Sequence, residues 1–387
     1  VAALSQGGHD ALVCALPANV LLLTGYWPVI GSAIALVTKD ARVALVAPAD
    51  ERDLAEGGWA DDLHTFEPGS LAELREARTA AATPLATVLR EAGLSSGSAR
   101  IAFEGGAAME PSSYVSLHVY GGAMRTLLED ALPRAQLVDG SELIARLRAV
   151  KTRREVECIA RSCAVAERAF RAGAGHVVAN SSEREIAAAF AAGLEAAARG
   201  EERSGGFVFC MSGPNAAKAG RAYARSRARA MAQGEVALVH CNSHLGGYWT
   251  DITRCYCAGA PGAPAADMYD AVLEARAAAL DALRPGARAR DVDRAGRAVL
   301  ERRGYGSAFT HGTGHGVGFA AIDHNAIPRV HPASPDILEP GMVFNIEPGI
   351  YLDGVTGIRH CDVVALGEHG IRVLTAFHDS VGELAIG

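Results

Sequence analysis

Val239-His240-Cys241-Asn242-Ser243-His244-Leu245-Gly246-Gly247-Tyr248-Trp249-Thr250-Asp251-Ile252-Thr253-Arg254 reads as two strands joined at a pair of glycines. Successive side chains of an extended chain alternate faces, so His240, Asn242 and His244 share one side of the first strand. Gly246-Gly247 supplies a two-residue hairpin turn, and Tyr248 to Tyr256 the returning strand. Two antiparallel strands of this kind can bring His240 and Asp251 to one point, which is half of a metal site. The same pattern suits a buried hairpin with two hydrogen-bonded histidines. The choice between them depends on what the rest of the chain brings to the same place.

Further donors lie downstream. In His311-Gly312-Thr313-Gly314-His315-Gly316-Val317-Gly318 the glycines on both sides of His315 strip away bulk, so its imidazole can approach something closely in an unusual backbone conformation. His324 follows nine residues later. Met342 to Ile346 leads into Glu347-Pro348-Gly349, and Gly357-Ile358-Arg359-His360-Cys361-Asp362-Val363-Val364 reads as a second largely buried strand. A buried Glu347 is costly without a cation or hydrogen-bond donors. His, Asp, Glu and Cys side chains arriving from separate strands and loops make a plausible metal centre.

The whole chain bounds these readings. Its 387 residues are 49% hydrophobic and 21% charged, ordinary globular composition with room for two domains. A net charge of -7 argues against nucleic acid or an anionic membrane as the main partner. No apolar run approaches a membrane span and no signal peptide is visible. The eight cysteines show no paired framework, which fits reduced thiols in the cytoplasm.

Residues 1–148 alternate short apolar runs with helical stretches, an α/β domain without a cluster of catalytic side chains. Strands are expected at Ala11–Ala15, Ser32–Thr38, Ala41–Ala47 and Arg100–Glu104, and helices at Ala49–Gly57 and Ser70–Ala92. A second domain is expected over 149–387. Capping boxes at Thr152-Arg153-Arg154-Glu155 and Ser182-Glu183-Arg184-Glu185 open helices to about Ala172 and Ala198. Two more helices are expected over about 265–283 and 289–303. The basic segment carrying Lys218, Arg221, Arg225, Arg227 and Arg229 reads as a solvated face in preference to an anion site.

With these residues in view, the chain resembles the creatinase, Xaa-Pro aminopeptidase and prolidase family, the pita-bread metallopeptidases. Asn19 to Tyr26, Leu147 to Glu155, Ser212-Gly213-Pro214-Asn215-Ala216-Ala217, Gly247 to Arg254, Gly314 to Gly318 and Ile346 to Gly349 carry the resemblance, in the family's order. It implies an α+β protein with a creatinase-like N-terminal α/β domain and a pita-bread catalytic domain. Members of the family hold two divalent metals with Asp, Asp, His, Glu and Glu. By position Asp251, His315 and Glu347 match. The other two positions depart, since they carry His240 and Cys361. The loop after Ser212-Gly213-Pro214-Asn215 lacks the family's histidine, and His324 sits two residues further from His315 than the pattern has it.

The departures soften the donor set and remove negative charge. One ion is therefore expected on His240, Asp251, His315, Glu347 and Cys361, with Zn or Fe favoured over Mn. Such an ion would lower the pKa of its water, with Glu347 handling the water proton. His311 and His324 are expected on the substrate side as donors to the carbonyl oxygen. Arg359 and Tyr248 are expected to bind substrate. The leading reading is a metal-dependent hydrolase of C–N bonds acting on short peptides. A metal-free, creatinase-like hydrolase of a small amide or guanidino compound and a catalytically silent binding module are the rivals. A homodimer is expected by resemblance.

Overall fold

The computed structural model describes residues 1–28, 33–67, 76–95, 97–106, 121–200, 202–221, 225–323 and 326–386. It divides into two compact units, Val1–Arg148 and Ala149–Gly387.

The first unit opens with α1 (Ala2–Gln6), β1 (Ala11–Cys14) and α2 (Pro17–Thr24), and continues through β2 (Ile34–Thr38), β3 (Val43–Pro48), α3 (Arg52–Ala55) and β4 (Asp62–Phe66). α4 (Ala77–Glu91), β5 (Arg100–Phe103), α5 (Gly121–Ala131), β6 (Gln136–Asp139) and α6 (Ser141–Ala149) complete it. The strands form one sheet in the order β4-β3-β2-β1-β5-β6. β1 is buried along its whole length, which explains its unbroken apolar run. One face packs Val13, Leu36 and Val46 against Leu85 and Leu89 of α4. The helix expected over 49–57 is realised as a 3-10 turn at Ala49–Glu51 followed by the short α3. Of the helix expected over 70–92, residues 70–75 lie outside the described residues, as does Ser32 of the second expected strand.

The second unit begins with α7 (Arg153–Ala174) and α8 (Glu183–Ala197), both opened by the expected capping boxes. β7 (Ser204–Ser212), α9 (Gly213–Ala216), β8 (Val236–Leu245) and β9 (Tyr248–Ala258) follow, then α10 (Ala263–Asp281) and α11 (Ala289–Arg302). The last part carries β10 (Val343–Ile346), β11 (Gly349–Leu352), β12 (Thr356–Arg359), β13 (Asp362–Gly367), β14 (Gly370–Val373) and β15 (Ala385–Ile386). The sheets are β15-β9-β8-β7, β10-β13-β14 and β11-β12. Gly246 and Gly247 both have positive φ, as a two-residue turn matching the strand twist requires. The register pairs His240 with Thr253 and Asn242 with Asp251.

The run Gly357–Val364, read as one strand, is broken at His360-Cys361. β12 pairs with β11, whereas β13 pairs with β10. Between them the Cys361 amide donates to the Thr253 carbonyl of β9 at 3.2 Å. The break lets one run serve two sheets. It also brings Arg359 and Cys361 alongside the hairpin.

Behind this break Arg254 is fully buried. It donates to the carbonyls of Phe377, Thr253, Cys361 and Thr375 and to Asp362. Asp362 is also paired with Arg276. The two guanidinium groups hold the Asp362 carboxyl well below the usual range, overcoming the burial that opposes its charge. All eight cysteines are free and buried. No helix among the described residues is long and apolar enough to cross a membrane.

Candidate active site

The site assembles on β9, β10, β12 and the loop that carries His315. That loop lies along β10 like a further strand. The His315 carbonyl accepts from the Asn345 amide at 3.0 Å, and the Thr313 carbonyl from the Glu347 amide at 2.7 Å. A Cβ on Gly314 would stand 1.9 Å from the Asn345 carbonyl oxygen, and one on Gly316 2.5 Å from that of Ala326. Close approach is therefore the reason for both glycines. Neither has positive φ, so the unusual backbone conformation expected there is absent.

α11 braces the loop. Asp293 accepts from the backbone and hydroxyl of Thr313 at 3.0 and 2.8 Å. Arg297 pairs with Asp293 and donates to the carbonyls of Phe309 and His311.

Asp251, His315 and Glu347 converge. His315 Nε2 lies 3.6 Å from Asp251 Oδ2 and 3.5 Å from Glu347 Oε1. Burial pushes the His315 imidazole down to about 4, so these approaches involve a neutral ring. Burial raises both carboxyl groups, and the charge of Glu347 raises Asp251 further. Arg359 is buried against the hairpin, 6% exposed, where it contacts His240 and Thr253. Burial opposes its charge, and the charges of Glu347 and Asp251 hold it protonated nonetheless.

The other expected residues fall into place around this core. His240 Nε2 stands 3.5 Å from Asp251 Oδ1, so the hairpin does bring the two together. Cys361 Sγ donates to the Asp251 carbonyl at 3.2 Å. Burial, then Asp251 and Glu347, push its thiol well up, so it carries its proton. His311 donates from Nδ1 to the Gly312 carbonyl at 2.8 Å and accepts at Nε2 from the Tyr351 hydroxyl at 2.8 Å. Its ring is thus turned to Tyr351 as an acceptor. Tyr248 sits elsewhere. Its carbonyl accepts from Ser162, its ring packs near Phe319, and the charges felt by its hydroxyl are those of Glu155, Arg154 and Arg161 on the α7 side. His324 lies outside the described residues.

Sequence reading missed Asn345, Tyr351, Thr253 and the Asp293–Arg297 brace. Asn345 had a signal, since it precedes Glu347 by two residues on a strand and shares its face. Tyr351 and Asp293 had none, because their roles arise from partners distant in sequence.

A divalent metal can be tested against this donor set. Arginine offers only donors. The 2.9 Å contact of Arg359 Nη2 with His240 Nδ1 therefore makes Nδ1 the acceptor and leaves the proton on Nε2, facing Asp251. His315 keeps its proton on Nδ1, which donates to the Gly316 carbonyl, and its Nε2 accepts from Asn345 Nδ2 at 3.0 Å. Cys361 is a thiol. As arranged, the five side chains do not fit a metal, and among the described residues no group of three or more His, Cys, Asp and Glu side chains could hold one.

Comparison with known proteins places the fold. Residues 157–368 match the metallopeptidase family M24, and residues 1–150 match the creatinase/prolidase N-terminal domain. This is an α+β protein of the pita-bread class. The chain belongs to metallopeptidase family M24. It is 31% identical over 234 residues to the Xaa-Pro dipeptidase of Pyrococcus furiosus, covering 60% of this chain and 65%, just under two thirds, of that enzyme. It is 31% identical over 273 residues to the probable dipeptidase PepE of Mycobacterium tuberculosis, covering 67% and 70%. The X-Pro aminopeptidase of Thermotoga maritima shares the fold with a TM-score of 0.80 at 22% identity, over 98% of this chain and 99% of that one.

Proposed function

We propose that this chain hydrolyses the C–N bond of short peptides of the Xaa-Pro type at the cluster of Asp251, His315, Glu347 and Arg359. The observation that carries the reading is the convergence of Asp251 and Glu347 on His315 within 3.5–3.6 Å, in a member of a peptidase family. The dipeptidase relatives favour peptides over a small amide or guanidino compound, and over a silent module.

The chemistry assigned to the chain's own residues is proton transfer and charge placement. Burial raises both carboxyl groups and the charge of Glu347 raises Asp251 further, so one accepts a proton from water while the other donates one to the leaving nitrogen. Glu347 is the proposed acceptor. Arg359 supplies fixed positive charge for the developing oxyanion or a substrate carboxylate. It is held by Thr253 at 3.0 Å and by His240. His311 acts on the site through Tyr351, and His324 keeps its assignment to the substrate side. The donors expected for a single Zn or Fe ion are committed to protein partners.

The test is release of proline from Xaa-Pro dipeptides. Glu347→Gln keeps the shape and should lower turnover by about 10²–10⁴-fold with the fold retained by circular dichroism. Near-wild-type turnover in that variant would remove Glu347 from the mechanism. A cytoplasmic homodimer completes the proposal. Light scattering at the mass of one chain would reject the dimer.

A further inference from the structure

The family's name implies a bound metal, and the hydrogen bonds at its positions in this chain point the other way. Two of the positions carry His240 and Cys361 in place of carboxylates. What remains is two carboxylates, Asp251 and Glu347, facing a buried guanidinium.

We propose that this centre is closed by the chain's own cation, with Arg359 fixing a proton on the His240 nitrogen that faces Asp251 and Asn345 occupying the His315 nitrogen that a metal would need. The inference rests on the site named under the proposed function, though its test is read separately from turnover.

Four observations support it. Arg359 Nη2 donates to His240 Nδ1 at 2.9 Å, and its Nε donates to Thr253 Oγ1 at 3.0 Å. The Thr253 hydroxyl, 2.7 Å from the same Nδ1, then donates to it as well, so an N–H, not an electron pair, sits on the Nε2 that faces Asp251. Asn345 is held by both ends of its amide. Its Oδ1 accepts from the His315 backbone at 2.7 Å, which turns Nδ2 onto His315 Nε2 at 3.0 Å. Nδ2 also reaches Cys361 Sγ at 3.4 Å, and that thiol donates to the Asp251 carbonyl. Finally, the site already holds a buried cation: Arg359 is fixed on His240 and Thr253, and a divalent ion added beside it would meet like charge in a buried setting.

Metal retention tests this directly. Protein prepared without a histidine tag is incubated in turn with Zn, Mn, Co and Fe(II), gel-filtered and analysed by plasma mass spectrometry. Its melting temperature is followed with each metal and with EDTA. The wild type should retain no stoichiometric metal, show no metal-dependent shift and lose no dipeptide turnover in EDTA. His240→Asp/Cys361→Glu returns two carboxylates and should retain about one ion per chain or more, with a raised melting temperature when loaded. Should that double variant fail to fold, Arg359→Met leaves Asp251 and Glu347 without their cation and should likewise take up metal.

About one ion per wild-type chain, lost in His315→Ala, would overturn the proposal, as would loss of turnover in EDTA. Folded variants that take up no metal would overturn the role given to Arg359 and the two substitutions. Absence of dipeptide turnover in the wild type both with and without added metal would count against the peptidase reading alone and leave the metal result standing.

Discussion

His360 shows how burial decides the behaviour of one side chain. It is fully buried beside Asp362, and burial, then the charge of Arg254, push its imidazole down to about 4. In the unfolded chain it titrates near 6.5. Below that pH the unfolded chain binds a proton that the folded one refuses. Stability from this group is therefore full above about pH 6.5 and is lost as pH falls toward 4, by up to about 1.4 kcal/mol per pH unit. His360→Asn should flatten the urea-unfolding free energy across that window, and an unchanged slope would refute the assignment. His315, held down to about 4 by burial, acts in the same direction. The residues nearest the chemistry follow the same logic. Asp251, Glu347 and Arg359 can stay buried because each offsets the charge of another.

At the scale of elements, the site depends on a loop that behaves as a strand. Thr313 to Val317 pairs along β10, and this is possible only because Gly314 and Gly316 bring no Cβ. Gly314→Ala should cost about 2–3 kcal/mol, since backbone rather than a flexible side chain must move. Gly175 ends α7 with right-handed φ and open space, so Gly175→Ala should be neutral or stabilise by about 0.4–1 kcal/mol. Chemical denaturation of both variants tests the contrast, and equal effects would show that the carbonyl of Asn345 does not set the requirement. The hairpin of β8 and β9 is the element most plainly written in the chain. Its turn glycines, alternation and length agree with one another.

For the molecule as a whole, the second unit is tied by a buried ion network. Arg254 and Arg276 hold Asp362, which links β9, α10 and β13. Arg254→Met would leave Asp362 with one cation in an apolar setting and should cost about 3–5 kcal/mol in urea unfolding. A loss below about 1 kcal/mol would show that Arg276 alone satisfies the carboxylate. The pattern of core packing supports the same division of labour. Val13, Leu36 and Val46 form part of one unit's core, while Leu238, Met268 and Tyr269 belong to another cluster in the second unit.

Much of this was legible in the chain itself. Period-two alternation and Gly246-Gly247 determined the hairpin, Ser/Thr-x-x-Glu boxes determined the starts of α7 and α8, and the order of motifs determined the class of fold. These signals are local, or are ordered along the sequence, so no packing is needed to read them. His240, Asp251, His315, Glu347 and Cys361, which the family resemblance put at one centre, do lie near one another. What those donors do was not legible there. The break at His360-Cys361, the turn of His311 toward Tyr351 and the placement of Tyr248 by α7 follow from contacts between segments far apart in sequence. The protons on His240 and His315 follow from Arg359 and Asn345, whose orientations are set by Thr253 and the His315 backbone. A donor's identity is local, whereas the hydrogen bond that decides whether it can bind a metal is tertiary.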